Sequence, residues 1–98
     1  MGITGQTVNA SLASMANLAV NQGVLVASVT SGGPAQRAGL QVDDVIVQID
    51  HTQIDSISTL QDTLLSKNPG DTVAVKVYRG NQPLTVNVTL EELKVQSS

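Results

Sequence analysis

A chain of 98 residues is enough for one small core and too short for two. It has no Cys, Phe or Trp, and Tyr78 is its sole aromatic, so the core must be aliphatic and neither disulfides nor thiolate chemistry are available. A net charge of −3 argues against an electrostatic grip on nucleic acid or anionic lipid. No apolar run reaches membrane-spanning length, and no signal peptide is visible.

The first predicted element is a short strand at 2–8, "GITGQTV", alternating loosely and weakened by Gly5. In "NASLASMANL" the residues Leu12, Met15, Ala16 and Ala19 follow helical spacing, with Asn9 or Ser11 placed to cap the helix. "GVLVASVT" (23–30) is Val-rich and too short for a typical helix, and reads as a buried strand. "GGPAQRAGL" has turn glycines, Pro34 suited to a first helical turn and Gly39 suited to a C-terminal cap, which predicts a helix of one to two turns. "DDVIVQID" (43–50) predicts a central strand with Val45, Val47 and Ile49 on one face and Ile46 on the other, followed by a brief extension at 51–54.

The strongest helical pattern lies at 55–70. Asp55 or Ser56 can cap it, Ile57, Leu60, Leu64 and Leu65 form an apolar stripe, and Lys67 sits at the negative end of the dipole. "NPG" stops it. Residues 71–90 predict a hairpin turning near Gly80-Asn81, with Val73, Val75 and Val77 facing one way and Val86, Val88 and Leu90 keeping the period of two. The polar "EELKVQSS" should fray. The order β-α-β-α-β-β-α-β-β means an α+β domain: antiparallel strands around an aliphatic core, closed at its ends by helices. Because Met1 runs directly into a strand, the chain reads as a domain excised from a longer protein.

Three chemistries can be weighed. "SGGP" (31–34) echoes the motif around the nucleophile of trypsin-like proteases, but a serine nucleophile needs a base and an orienting group. The one histidine, His51, sits in a predicted turn, and Val29-Thr30 stand where a glycine and an acidic or amide residue belong. The stretch is better read as a strand-to-helix turn. Asp43, Asp44, Asp50, His51, Asp55 and Asp62 match no common calcium or zinc spacing, and no cofactor or metal is expected. "RGN" and Lys76 are too sparse to cradle phosphate. The remaining possibility is a binding edge. The strand at 2–8 is only partly apolar and reads as an edge strand, which either accepts an added peptide strand or is covered by preceding chain.

In order along nearly the whole chain, "GITGQTVNASLASM", "QGVLVASVTSGGPAQRAGLQVDDVIVQID" and "SISTLQDTLLSKNPGDTVAVKVYRGNQPLTVNVTL" resemble a bacterial PDZ domain, in particular the first PDZ domain of the HtrA (DegP/DegQ-type) serine proteases. The resemblance implies a PDZ-like domain over 1–91 with a flexible tail at 92–98. The implied fold is a five- to six-stranded, partly open antiparallel β-barrel or sandwich, capped by two main helices plus a short turn helix.

It also implies a non-catalytic module that binds C-termini or extended segments of misfolded or signal proteins by strand addition, and regulates proteolysis by a catalytic domain in cis. The other use it allows is an oligomer-assembly or intramolecular regulatory surface. The implied location is extracytoplasmic, on the periplasmic or cell-surface side of the membrane. Neither nucleic acid nor cofactor is implied as a partner.

Residue by residue, Met1, Gly2 and Ile3 match the family's carboxylate-binding loop, and Ile3, Thr4 and Gly5 its peptide-pairing strand. Ile57, Gln61 and Leu64 match the groove face of the helix, leaving Leu60 for the core. Three departures carry expectations. Met1 cuts the loop short, at the expense of carboxylate binding. Asp43 replaces a usual glycine, which implies a strained or altered turn. Asp50-His51 replaces an Asn-Gly turn and is expected to lack help from a positive φ.

Overall fold

Alternating valines set the frame. In β5 (Thr72–Arg79) the side chains of Val73, Val75 and Val77 are all buried, and β6 (Gln82–Thr89) returns against it around Gly80-Asn81 with Arg79 opposite Gln82. In the computed structural model, which describes residues 3–16, 22–68 and 70–90, these are the last two of nine elements. Before them come β1 (Ile3–Thr7), α1 (Ala10–Ala16), β2 (Val24–Val29), α2 (Pro34–Ala38), β3 (Val45–Ile49), β4 (Thr52–Gln53) and α3 (Ile57–Leu65). Element order and type follow the sequence pattern throughout. The tail expected at 92–98 lies outside the described residues.

The strands form one six-stranded antiparallel sheet in the order β1-β2-β3-β5-β6, with β4 paired to β3, and it does not close into a barrel. The core gathers Val24, Val26, Ile46, Ile49, Val75 and Val88 with Leu60 from α3 and Ala35 from α2. Helices and sheet thus share one aliphatic interior, as an α+β domain without large aromatics must.

Side-chain direction departs from the simple pattern in three places. The β3–β5 register shifts between Ile46 and Gln48, so Ile46 and Ile49 both reach the core while Val47 is only half-buried. A bulge breaks the period of two that placed Ile46 on the opposite face. Met15 is 85% exposed, because it lies one turn beyond exposed Ser11 on the outer side of a seven-residue helix. The side chains of Leu12 and Ala16, and the whole of Ala19, lie outside the described residues. Leu65 is 82% exposed because it follows exposed Gln61 by one turn, while Leu60 and Leu64 turn inward together.

The turn at "SGGP" closes with the Gly33 N–H donating to Thr30 O at 3.0 Å. Gly32, third in that turn, has φ 77°, a region open to glycine at no steric cost, and Pro34 then starts α2. Gly39 ends α2 in the left-handed conformation, as its position suggested.

Two aspartates take left-handed backbone as well. Asp43 has φ 78°, fixed by its N–H donating to Val26 O at 2.9 Å. Asp50 has φ 53°, so the expectation that this turn lacks a positive φ is wrong. Asp tolerates that region better than most residues, and here the conformation is held from two sides. The Asp50 N–H donates to Ala74 O at 2.7 Å, and its carboxylate accepts from the Ala74 N–H and from Lys67 Nζ, both at 2.9 Å. Lys67 therefore serves this turn, where the sequence had placed it at the dipole of α3.

Candidate peptide-binding groove

β1 is the terminal strand of the sheet. One edge pairs with β2, and the other has no partner strand among the described residues. Its pleat turns Ile3 and Gly5 inward, half-buried, and leaves Thr4 and Gln6 exposed. Ile3 packs on the core, and Gly5 sits against Val24. A Cβ on Gly5 would lie 2.6 Å from Val24 Cγ1 and 3.2 Å from Leu25 O, so glycine is what lets the two strands approach here. The register shifts by one residue at the same point, where Thr4 faces Ser28 and Gly5 faces Val26, leaving Ala27 of β2 as the extra residue.

α3 contacts β1. The hydroxyl of Thr7, at the end of β1, accepts from the Ile57 N–H at 3.0 Å. That N–H belongs to the first turn of the helix and has no partner within it, so Thr7 satisfies an orphan donor while tying strand to helix. Nothing local in the sequence marks this link, which joins residues 50 apart. The Thr59 N–H, two residues on, is met by Ser56 Oγ at 3.2 Å, which makes Ser56 the N-cap. Asp55 supports it by accepting from Thr59 Oγ1 at 2.7 Å. Both of the candidate caps are in use.

Along α3, Ile57 and Leu64 are half-buried against the core, Leu60 is buried, and Gln61 is exposed. Ile3, Thr4 and Gly5 are therefore on the edge strand, and Ile57, Gln61 and Leu64 on the helix in contact with it. Met1 and Gly2, matched to the carboxylate loop, lie outside the described residues. Leu65, one turn beyond Gln61, adds apolar surface that the sequence pattern had assigned to the interior.

The other candidate chemistries are not assembled. Ser31 and His51 are both exposed, and no hydrogen bond joins them. Among the described residues no three His, Asp or Glu side chains are grouped to hold a metal ion. Several acidic residues have structural partners instead: Asp44 grips Arg79, Asp50 holds Lys67, and the Asp71 carboxylate accepts from the Asn68 N–H at 2.9 Å.

An open edge strand tied at one end to a helix with a half-apolar flank is the arrangement into which a peptide strand can be added. The sequence pattern of the PDZ domain family matches residues 1–90. The chain belongs to the PDZ domain family. This PDZ domain is 31% identical over 96 residues to a probable periplasmic DegP-like serine endoprotease of Chlamydia trachomatis, covering 98% of this chain and 19% of that protein. It is likewise 31% identical over 91 residues to the periplasmic pH-dependent serine endoprotease DegQ of Escherichia coli, covering 93% and 20%. The match to the Do-like serine protease HtrA of Lactococcus lactis is 44% over 73 residues, covering 74% and 18%.

Among solved structures, the HtrA3 PDZ domain bound to a phage-derived ligand (FGRWV) aligns with a TM-score of 0.79 at 30% identity, over 91% of this chain and 81% of that one. The HtrA-type protease AlgW with a decapeptide aligns at 0.83 and 27%, over 92% and 28%. The PDZ domain thus resembles those of HtrA-type proteases in sequence and in fold. It spans about a fifth of the length of the curated relatives it matches. Relatives named as periplasmic agree with the extracytoplasmic location that the family resemblance implied.

Proposed function

We propose that this PDZ domain binds extended peptides, free C-termini foremost, by adding them as a strand to the outer edge of β1 beside α3. The observation that carries this reading is the edge of β1 that has no partner strand among the described residues, next to the half-buried Ile57 and Leu64. Main-chain bonds to the edge would supply affinity, and the aliphatic flank a pocket for Val, Leu or Ala at the ligand's C-terminus. The ligand of the HtrA3 PDZ domain, FGRWV, ends in such a residue. Met1, Gly2 and Ile3 would meet the carboxylate with backbone N–H groups. In this reading the domain is not itself catalytic. It delivers segments of misfolded or signal proteins to a trypsin-like endopeptidase domain in cis in a longer parent protease, and regulates it.

Titration with fluorescent peptides ending in Val, as free acid and as amide, tests the proposal. Binding should be near-micromolar, because few residues are buried and the peptide must be ordered. It should weaken with Leu64→Asp and with amidation. An amide that binds as well as the acid would remove the carboxylate role of Gly2 and Ile3 and leave internal segments as ligands. Absence of saturable binding would leave the groove as an assembly surface.

A further inference from the structure

An open cleft of about 490 Å³ continues the line of β1 past its last residue, lined by Val8, Asn9, Ala10, Gln22, Asp55 and Ser56. Two hydrogen bonds seat it at the end of the strand. The Val8 N–H donates to Gly23 O at 2.8 Å, and the Ile57 N–H donates to Thr7 Oγ1 at 3.0 Å. Of the lining residues Asp55 alone carries charge. One carboxylate oxygen accepts from Thr59 Oγ1, and the other accepts no hydrogen bond among the described residues.

We infer that this cleft is a specificity subsite for a basic side chain, Lys or Arg, four or five residues before the C-terminal residue of a bound peptide. The inference rests on the strand-addition reading. A ligand whose carboxylate lies by Ile3 runs antiparallel to β1, and its chain rises ~3.4 Å per residue. Its fourth residue upstream then lies beside Thr7, and its fifth beside Val8, at the mouth of the cleft.

The chemistry favours a cation over an anion. Anions are drawn to helix N-termini by unpaired N–H groups. At α3 three of the first four N–H groups, those of Ile57, Thr59 and Leu60, are already used, by Thr7 Oγ1, Ser56 Oγ and Ser56 O. The Asp55 carboxylate adds negative charge at the same place, in a domain whose net charge is −3. Gln22 supplies a polar wall that can receive a further donor of a guanidinium.

A position scan on the intact chain tests it. Octapeptides ending in Val carry a single Arg, Ala or Glu at each position from one to six residues before the terminus, and affinity is read by fluorescence polarisation at low and high salt. Arg should bind about three- to fivefold tighter than Glu at the fourth or fifth position only, with the gap narrowing in salt. Asp55→Asn, which keeps an acceptor for Thr59, should erase that gap while leaving the Ala peptide's affinity unchanged. If the Ala peptide binds and Arg and Glu are equal at every position, the subsite is refuted and the groove stands. The subsite is also refuted if the Arg preference is spread evenly along the peptide, or survives Asp55→Asn. If no peptide binds, the groove reading falls and takes the subsite with it.

Discussion

Arg79, at the end of β5, grips the buried carboxylate of Asp44 at two points, Nε to Oδ1 and Nη2 to Oδ2, each at 2.9 Å. The same Nη2 donates to Gly39 O at 3.0 Å, and the Gln41 N–H donates to Asp44 Oδ2 at 3.0 Å. One guanidinium thus fastens the end of α2 and the entry to β3 onto the closing hairpin. The Asp44 side chain is 1% exposed and that of Arg79 37%, so the carboxylate depends on the arginine far more than the reverse.

Removing the arginine should therefore leave a buried charge with a single N–H partner. Arg79→Ala is expected to lower stability by about 3 kcal/mol in urea melts, as for other broken buried pairs. Arg79→Lys should recover only part of this, because an ammonium cannot reproduce the two-point fork. Stability of Arg79→Ala within a few tenths of a kcal/mol of the parent chain would show that the pair holds nothing.

Acid should act through Asp50. The Ala74 N–H first, and then the hydrogen bond from Lys67, hold its carboxyl below its ordinary value of 3.8. A carboxylate whose pKa is lower folded than unfolded stabilises the fold above the unfolded value. That stabilisation is lost as pH falls through the folded one. Thermal melts from pH 6 down to pH 2 should show melting temperature dropping below about pH 4. Asp50→Asn, which tolerates the same left-handed backbone, should flatten that drop, and Lys67→Met should reduce it in part. An acid limb identical in all three proteins would count against the assignment.

These two aspartates also mark where the sequence stops being legible. The order of strands and helices could be read because each element carries its own signals: valines at a period of two, Pro34 and Gly39 bracketing α2, Ser56 capping α3. The edge proposed to take a peptide was legible as a weak, half-apolar strand followed by a helix. What could not be read depends on residues far apart in the chain. Arg79 ends an alternating strand and Asp44 precedes one, and nothing local joins positions 35 residues apart. The bulge at Val47, the outward turn of Met15 and Leu65, and the bond from Ile57 to Thr7 are likewise set by packing, which local periodicity does not encode.

Ser31 offers a direct test of the resemblance to a protease motif. It lies in an exposed turn with no hydrogen bond to His51, the one histidine that could act as its base. A fluorophosphonate probe should not label the chain. Labelling that disappears in Ser31→Ala would assign the serine a nucleophilic role after all.

The last prediction separates core from groove on α3. Leu60 and Gln61 are adjacent, about 100° apart around the helix. Leu60 is 6% exposed within the core, and Gln61 is exposed on the flank proposed to face the ligand. Leu60→Ala should cost 2–5 kcal/mol or so, since its neighbours in a sheet-packed core collapse only partly into the space left. That is a large share of what a domain this size has to lose. Gln61→Ala replaces an exposed residue with a better helix former and should leave the melting temperature within about two degrees. Its effect should appear in peptide titrations, as a changed preference two residues before the ligand's C-terminus. Paired melts and titrations on the two variants decide the matter. A Gln61→Ala protein that unfolds, beside a Leu60→Ala protein that melts normally, would mean that α3 presents a different face to the sheet and that the groove lies elsewhere.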